Sequence, residues 1–244
     1  MKASPEAQRR LLDLQAVDTA LAQLAHRRKS LPELAEIDAV VREISALEDE
    51  RARAQVAVDD LERDISRFEK DIEQVRIRKE RDQSRLEAGG ALREIEGLQH
   101  ELATLNRRQS ELEDAELELM EQKETADATL AEVQQRIDAA VGRRNEAERR
   151  RDEAYAEITK EQEFKNSSRG PLAADLPADL VALYDKIRLD SGLGAALFQS
   201  GRCGGCRIEL YGADLARVKA AGPDEVVRCE ECRRIMVRTK ESGL

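Results

Sequence analysis

The chain has 244 residues, of which 38% are charged, 41% hydrophobic and only 2% aromatic, with a formal net charge of -10. Aromatic side chains supply much of the buried area of compact cores, so a globule built around them is excluded. Charges of both signs alongside abundant Ala, Glu, Arg and Leu are the composition of coiled coil, not of an acidic disordered tail.

No apolar run approaches the roughly 20 residues that span a bilayer. Met1-Lys2-Ala3-Ser4-Pro5-Glu6 leads into charge instead of an apolar signal core. The expectation is a cytoplasmic protein with no membrane partner. Composition shifts near Asn166: Glu6 to Lys165 contains no Cys, whereas the rest holds every Cys and most of the Gly. The expected division is therefore 1–166, a linker over 167–200, and a small module over 201–244.

Leu14, Val17, Leu21 and Leu24 form a first helical stripe. It breaks near 30–33, at Ser30-Leu31-Pro32-Glu33, because proline disfavours helix in the residue before it and suits a first helical turn. A heptad register then starts at Ile37 and passes through Val40, Ile44, Leu47, Val58, Ile65, Phe68, Ile72 and Val75 to Leu86, interrupted only at Arg51, Lys79 and Asp82. A second register runs from Ala91 and Ile95 through Leu98, Leu105, Leu112, Val133, Ile137, Ala140 and Ile158 to Glu161, its second half thin, with Ala and Arg at many seam positions. A repeat of about 3.5 residues sustained this long gives a left-handed supercoil with a narrow apolar seam.

The two registers are separated by the turn near 87–91, Glu87-Ala88-Gly89-Gly90-Ala91. A glycine pair there predicts a chain reversal and hence an antiparallel hairpin within one chain. Asn166-Ser167-Ser168-Arg169-Gly170-Pro171 is expected to end the second helix. After Pro177, Leu180, Leu183, Tyr184 and Ile187 share one face of a short helix that stops at Ser191-Gly192. Ala195 to Phe198, Val226-Val227 and Ile235 to Val237 read as strands, and Asp214 to Ala221 as a short helix. The fold class is mainly α: a long antiparallel coiled-coil hairpin followed by a small C-terminal α+β module that carries all four cysteines.

Cys203-Gly204-Gly205-Cys206 and Cys229-Glu230-Glu231-Cys232 are two Cys-x-x-Cys pairs. Each gap lets a tight turn aim two sulfurs at one ion, and two such turns complete a tetrahedron. Soft thiolates select zinc, so the expected cofactor is one structural Zn2+ held by Cys203, Cys206, Cys229 and Cys232. An iron site would want an aromatic jacket that is missing here. A thioredoxin-like redox pair would leave the second Cys-x-x-Cys unexplained.

No nucleophile-base pairing or phosphate-cradling glycine loop is visible, and His26 and His100 both lie in the helical part. Neither an enzyme nor a small-molecule substrate is expected. Arg207, Arg228, Arg233, Arg234, Arg238 and Lys240 flank the cysteines and form a basic edge that could contact phosphates. The competing reading is a solvated face paired with nearby glutamates. The leading expectation is an adaptor that docks protein partners through hairpin and ribbon. The alternative is a nucleic-acid-binding protein that uses the basic edge.

Leu176-Pro177-x-x-Leu180-x-x-x-Tyr184-x-x-Ile187, Gly201-Arg202-Cys203-Gly204-Gly205-Cys206 and Val226-Val227-Arg228-Cys229-x-x-Cys232-x-Arg234-Ile235, together with Leu92-Arg93-Glu94-Ile95-Glu96-Gly97-Leu98-Gln99-His100-Glu101-Leu102 past the turn, are the most distinctive stretches. With them the chain resembles the bacterial four-cysteine zinc-ribbon family with an N-terminal coiled-coil hairpin. The resemblance implies a non-enzymatic adaptor whose partners belong to the transcription or secretion machinery, with RNA binding proposed for some members. It supports the zinc assignment at Cys203, Cys206, Cys229 and Cys232.

Overall fold

The structure is a computed structural model that describes residues 1–243. In chain order it comprises α1 (Pro5–Lys29), α2 (Pro32–Glu87), α3 (Leu92–Ala174), α4 (Ala178–Ser191), β1 (Ala195–Gln199), β2 (Arg202–Cys203), α5 (Gly212–Ala220), β3 (Val227–Arg228), β4 (Ile235–Val237) and a terminal 3-10 turn (Lys240–Ser242). This is a long helical hairpin followed by a small strand-containing module. Two compact units can be distinguished: Ala35–Glu148, and Met1–Leu34 together with the chain from Arg149 onward.

In the first of these units, α2 and α3 run antiparallel along the heptad seam. Val40, Ile44 and Leu47 pack with Val133, Ile137 and Ala140 in one buried cluster, at the positions the repeat selects. Seam positions that are polar find polar answers. Lys79 donates to Gln109 at 2.6 Å across the two helices, and Arg51 donates to Gln134 at 3.3 Å. Asp82 is buried, with Arg81 at 3.4 Å and Arg78 and Arg85 each at 3.9 Å. The reversal lies between the end of α2 at Glu87 and the start of α3 at Leu92, with Gly89 at φ +76°, a left-handed conformation that glycine adopts without a Cβ penalty.

The other unit is organised around α1. Ser4 caps it by accepting from the Ala7 N–H at 3.1 Å, with Pro5 in the first turn. Its buried apolar face is Ala7, Leu11 and Leu14, and the same face carries Gln8, Gln15 and Asp18. The expected stripe of Leu14, Val17, Leu21 and Leu24 is therefore met only in part: Leu14 and Leu24 are buried, whereas Val17 and Leu21 are half-buried. The reason is the partner. α1 packs on α4 and the sheet, sharing a core with Leu180, Tyr184, Ile187, Ala195, Ile235 and Val237, so its face follows the 3.6-residue period of a globular helix. α1 stops at Ser30, and Pro32 opens α2, with Leu31 buried against Leu24 and Ile158.

The expected helix end at Asn166 is also corrected. α3 continues through Asn166-Ser167-Ser168-Arg169-Gly170-Pro171 to Ala174. Ser167 and Ser168 return their hydroxyls to the Phe164 carbonyl at 2.8 and 3.1 Å, and Gly170 has no Cβ to meet the proline ring. Leu172, Ala173 and Leu176 then pack on the α1–α4 core, so tertiary burial overrides the local helix-breaking signal.

α4 ends on Gly192 at φ +78°, as its sequence predicts. The four-stranded sheet has the order β2-β1-β4-β3. β1 pairs antiparallel with β2 and parallel with β4, and β4 pairs antiparallel with β3. The N-terminal residues reach this region too: Ala3 N–H donates to the Asp224 carbonyl at 2.8 Å, and Val226 N–H donates to the Met1 carbonyl at 3.1 Å.

Candidate metal centre

The first cysteine pair sits on the β2 turn. Cys203 ends β2, and its carbonyl accepts from the Arg207 N–H at 2.7 Å, closing the turn. Gly204 N–H donates to the Leu197 carbonyl at 2.9 Å. A Cβ on Gly204 would stand 2.6 Å from that oxygen, so no larger residue fits without moving β1. The second pair joins β3 to β4 in the same way: Cys229 N–H donates to the Arg234 carbonyl at 3.0 Å, and Arg233 N–H donates to the Cys229 carbonyl at 2.9 Å. Arg207 and Arg233 hold equivalent positions, each directly after the second cysteine of its pair and each at φ +64°.

The four Sγ atoms lie within 4.8 Å of one another. Cys203 Sγ is 3.8 Å from Cys232 Sγ, and Cys206 Sγ is 3.9 Å from Cys229 Sγ. A zinc ion with tetrahedral bonds of about 2.3 Å requires sulfurs about 3.8 Å apart, whereas a disulfide would bring them to about 2.0 Å. The donor set and its spacing therefore fit one structural Zn2+ in a closed four-thiolate shell. Cys203 and Cys229 are buried; Cys206 and Cys232 are half-buried.

The peptide groups of each turn are aimed at its first sulfur. Burial pushes the Cys203 thiol up, opposed by N–H groups of Cys206 and Gly205. Burial likewise raises Cys229 to about 12, opposed by N–H groups of Cys232 and Glu231. At Cys232 burial acts upward, but the Arg234 N–H and the neighbouring thiols outweigh it and lower the pKa. These dipoles offer charge to sulfurs that burial alone would keep neutral, and a divalent cation completes the compensation. Phe198, Leu210, Val218, Val227 and Met236 pack around Cys203 and Cys229 as the core of the module. The apolar wrap thus includes one aromatic, contributed by β1, before the first cysteine pair.

The six basic residues of the expected edge do not share one environment. Arg238 is spent internally: its guanidinium donates to the carbonyls of Val218, Ala221, Gly222 and Glu225 at 3.2, 2.7, 2.6 and 2.8 Å. Arg234 donates to Ser191 Oγ at 3.3 Å and to the Ser191 carbonyl at 2.9 Å, tying the second knuckle to the end of α4. Arg228 Nε donates to the Arg233 carbonyl at 3.0 Å. Arg207, Arg233 and Lys240 are exposed. The glutamates nearby choose other partners: Glu209 pairs with Arg202 at 2.9 Å, and Glu230 pairs with Arg217. A groove of about 450 Å³ beside the second knuckle is lined by Arg217, Arg228 and Arg233, but also by Glu225 and Glu230, so its charge is mixed.

Sequence reasoning missed the polar residues that seat this module on the helices. Gln15 Oε1 accepts from the N–H groups of Gly194 and Ala195 at 2.7 and 3.2 Å, where the chain enters β1. Gln8 Nε2 donates to the Ala3 and Pro223 carbonyls at 2.9 and 3.3 Å. The available signal was a polar residue repeating every seven positions on a face that also carries Leu11 and Leu14.

Comparison with known proteins agrees with this geometry. A Mycobacterium tuberculosis protein is 41% identical over 239 residues, 98% of each chain. A Mycobacterium leprae protein is 29% identical over 92% of this chain and 97% of its own. Among solved structures, a Mycobacterium smegmatis protein has a TM-score of 0.89 at 38% identity, covering 98% of this chain and 100% of its own. CT398 of Chlamydia trachomatis shares the fold, with a TM-score of 0.69 at 19% identity over 96% of this chain and 98% of its own. Residues 202–236 match the C4-type zinc ribbon domain and residues 14–192 match the CT398-like coiled coil hairpin domain, and the chain belongs to that hairpin family.

Proposed function

We propose that the chain is a non-catalytic adaptor of the cytoplasm, which holds protein partners on its helical hairpin and uses zinc to keep the ribbon folded. The observation that carries this reading is the four-thiolate shell. Four protein sulfurs fill a tetrahedral ion, so no coordination position is left for water or substrate, which is the arrangement of a structural site. The remaining surface is dominated by the hairpin, and among the described residues no helix is long and apolar enough to cross a membrane.

Affinity capture of the full chain from native lysate, in parallel with and without nuclease, tests the reading. Protein partners that survive nuclease support it; capture that vanishes with nuclease overturns it in favour of nucleic-acid binding. That second reading has Arg207, Arg233 and Lys240 to draw on, whereas Arg234 and Arg238 are occupied by backbone and hydroxyl acceptors.

A further inference from the structure

We propose that the side groove between α2 and α3 centred on Leu117 and Met120 is the docking site for a basic amphipathic helix of a partner protein. This rests on the adaptor reading and gives the partner a chemistry. The groove measures about 580 Å³ and is open to solvent along the hairpin. Its apolar side is formed by Ile65 of α2 with Leu117 and Met120 of α3, of which Leu117 is 58% and Met120 51% exposed. Singly exposed apolar side chains are ordinary, but two of them facing one groove form a contact surface. Methionine adapts its shape to whatever packs on it.

Charge selects the occupant. Glu62, Glu69, Glu121, Glu124 and Asp127 rim the groove, with Lys123 as its one cation. That ammonium is already shared by Glu62 at 3.2 Å and Asp127 at 2.9 Å. Glu69, Glu121 and Glu124 have no ion-pair partner among the described residues. Elsewhere the two helices are bridged by ion pairs: Arg143 with Glu43 at 2.7 Å, Arg136 with Glu50 at 3.0 Å, and Arg78 with Glu101. The groove therefore combines exposed apolar surface with uncompensated negative charge.

Leu117, Met120, Glu121, Glu124 and Asp127 follow helical spacing along about 15 Å of α3, matching roughly three turns of a partner helix. Such a helix would set apolar side chains at i, i+3 or i+4, and i+7 against Leu117 and Met120, with Lys or Arg flanking them toward the carboxylates. An open trough does not enclose the large share of surface that a small ligand needs, and the acidic rim repels phosphate backbones and anionic lipid.

A photo-crosslinking p-benzoylphenylalanine in place of Met120, in the full chain in its native cells, tests this, with a second probe in place of Ile208 on the ribbon. The expected adduct at Met120 is a protein segment of net positive charge with apolar residues at helical spacing. Its yield should fall at least about tenfold in the Glu121→Lys/Glu124→Lys variant, checked for unchanged helical circular dichroism. No adduct at Met120, or one with an acidic segment, a nucleic acid or a second copy of this chain, would overturn the proposal, as would a yield indifferent to the charge reversal. Protein adducts at Ile208 with none at Met120 remove the groove and leave the adaptor reading standing; none at either position removes both.

Discussion

Tyr184 donates a 2.8 Å hydrogen bond to Asp18, joining α4 to α1 across 166 residues of sequence. The same carboxylate accepts from Arg169 of α3 at 2.7 Å and lies 3.3 Å from Arg188 of α4. Arg169 also reaches Asp185 at 2.6 Å. Asp18 is buried, so its charge is tolerated only because two guanidinium groups and a phenol surround it. One carboxylate thus ties three helices together, and Arg169 adds a polar anchor to the apolar burial that carries α3 past Asn166.

Removing Asp18 should loosen this junction strongly. Asp18→Ala leaves the buried Tyr184 hydroxyl without its acceptor and two cations without their shared anion, at a cost of about 3 kcal/mol. Amide exchange of α4 and β1 is the measurement: their protection should fall together, while that of α2 around Ile44 stays unchanged. Unaltered protection of α4 would show that the network contributes nothing.

The same network makes stability fall in alkali. Burial, then the Asp18 hydrogen bond, raises the Tyr184 pKa above its ordinary value near 10. A group whose folded pKa is raised contributes stability that is complete below the unfolded pKa and is lost as pH rises through the folded one. The loss should therefore begin above about pH 10 and be absent near neutrality. Urea unfolding of wild type and Tyr184→Phe at pH 8 and pH 11 measures it: Tyr184→Phe should be the less stable protein at pH 8, and the gap should narrow at pH 11. A gap that widens with pH would refute the assignment.

Gln15 is expected to matter as much as a core leucine. Gln15→Met keeps the volume but strips the acceptor from two buried amides, Gly194 and Ala195. Each orphaned N–H costs about 1 to 3 kcal/mol. Limited proteolysis should then cut between α4 and β1, where wild type resists. Equal resistance of the variant would mean that water replaces the amide oxygen.

The hairpin was legible because its seam repeats: Val40, Ile44, Leu47, Val133, Ile137 and Ala140 are buried at the heptad positions, and one repeated rule fixes many residues at once. The zinc site was legible because ligand chemistry demands those atoms at that spacing. What could not be read was the face that α1 buries. Its partners lie on α4, the sheet and the far end of α3, all distant in sequence, and Gln15 and Asp18 look like solvent-facing residues until those partners are known. The environments of the basic edge were hidden for a related reason: arginines are equally suited to phosphates and to carbonyls, and only the fold reveals that Arg238 caps the end of α5 and the turn after it, while Arg207, Arg233 and Lys240 stay exposed.

Zinc removal should separate the ribbon from the helices. Cys229→Ser breaks the tetrahedron, and in a module this small zinc binding free energy is largely folding free energy. The variant should lose its bound zinc and become protease-sensitive between Gly201 and Gly243, while its helical circular dichroism stays nearly intact. A variant that kept both zinc and protease resistance would sink the four-thiolate assignment.

Arg207 and Arg233 invite the opposite experiment. Both occupy left-handed backbone at φ +64°, which costs a residue bearing a Cβ about 1 to 2 kcal/mol, whereas glycine adopts it freely but loses more entropy on folding. Their exposed side chains add no compensating burial, so Arg207→Gly and Arg233→Gly should each stabilise the ribbon by about 0.5 to 1 kcal/mol, the net of the two effects. Competition with a chelator reads this as zinc retention about two- to fivefold stronger per substitution. Arg238→Met should do the reverse, because four carbonyls lose a charged donor worth about 2 kcal/mol. Glycine variants that release zinc faster than wild type would mean that the two arginine side chains hold the knuckles together, and the ribbon's basic surface would then be structural throughout.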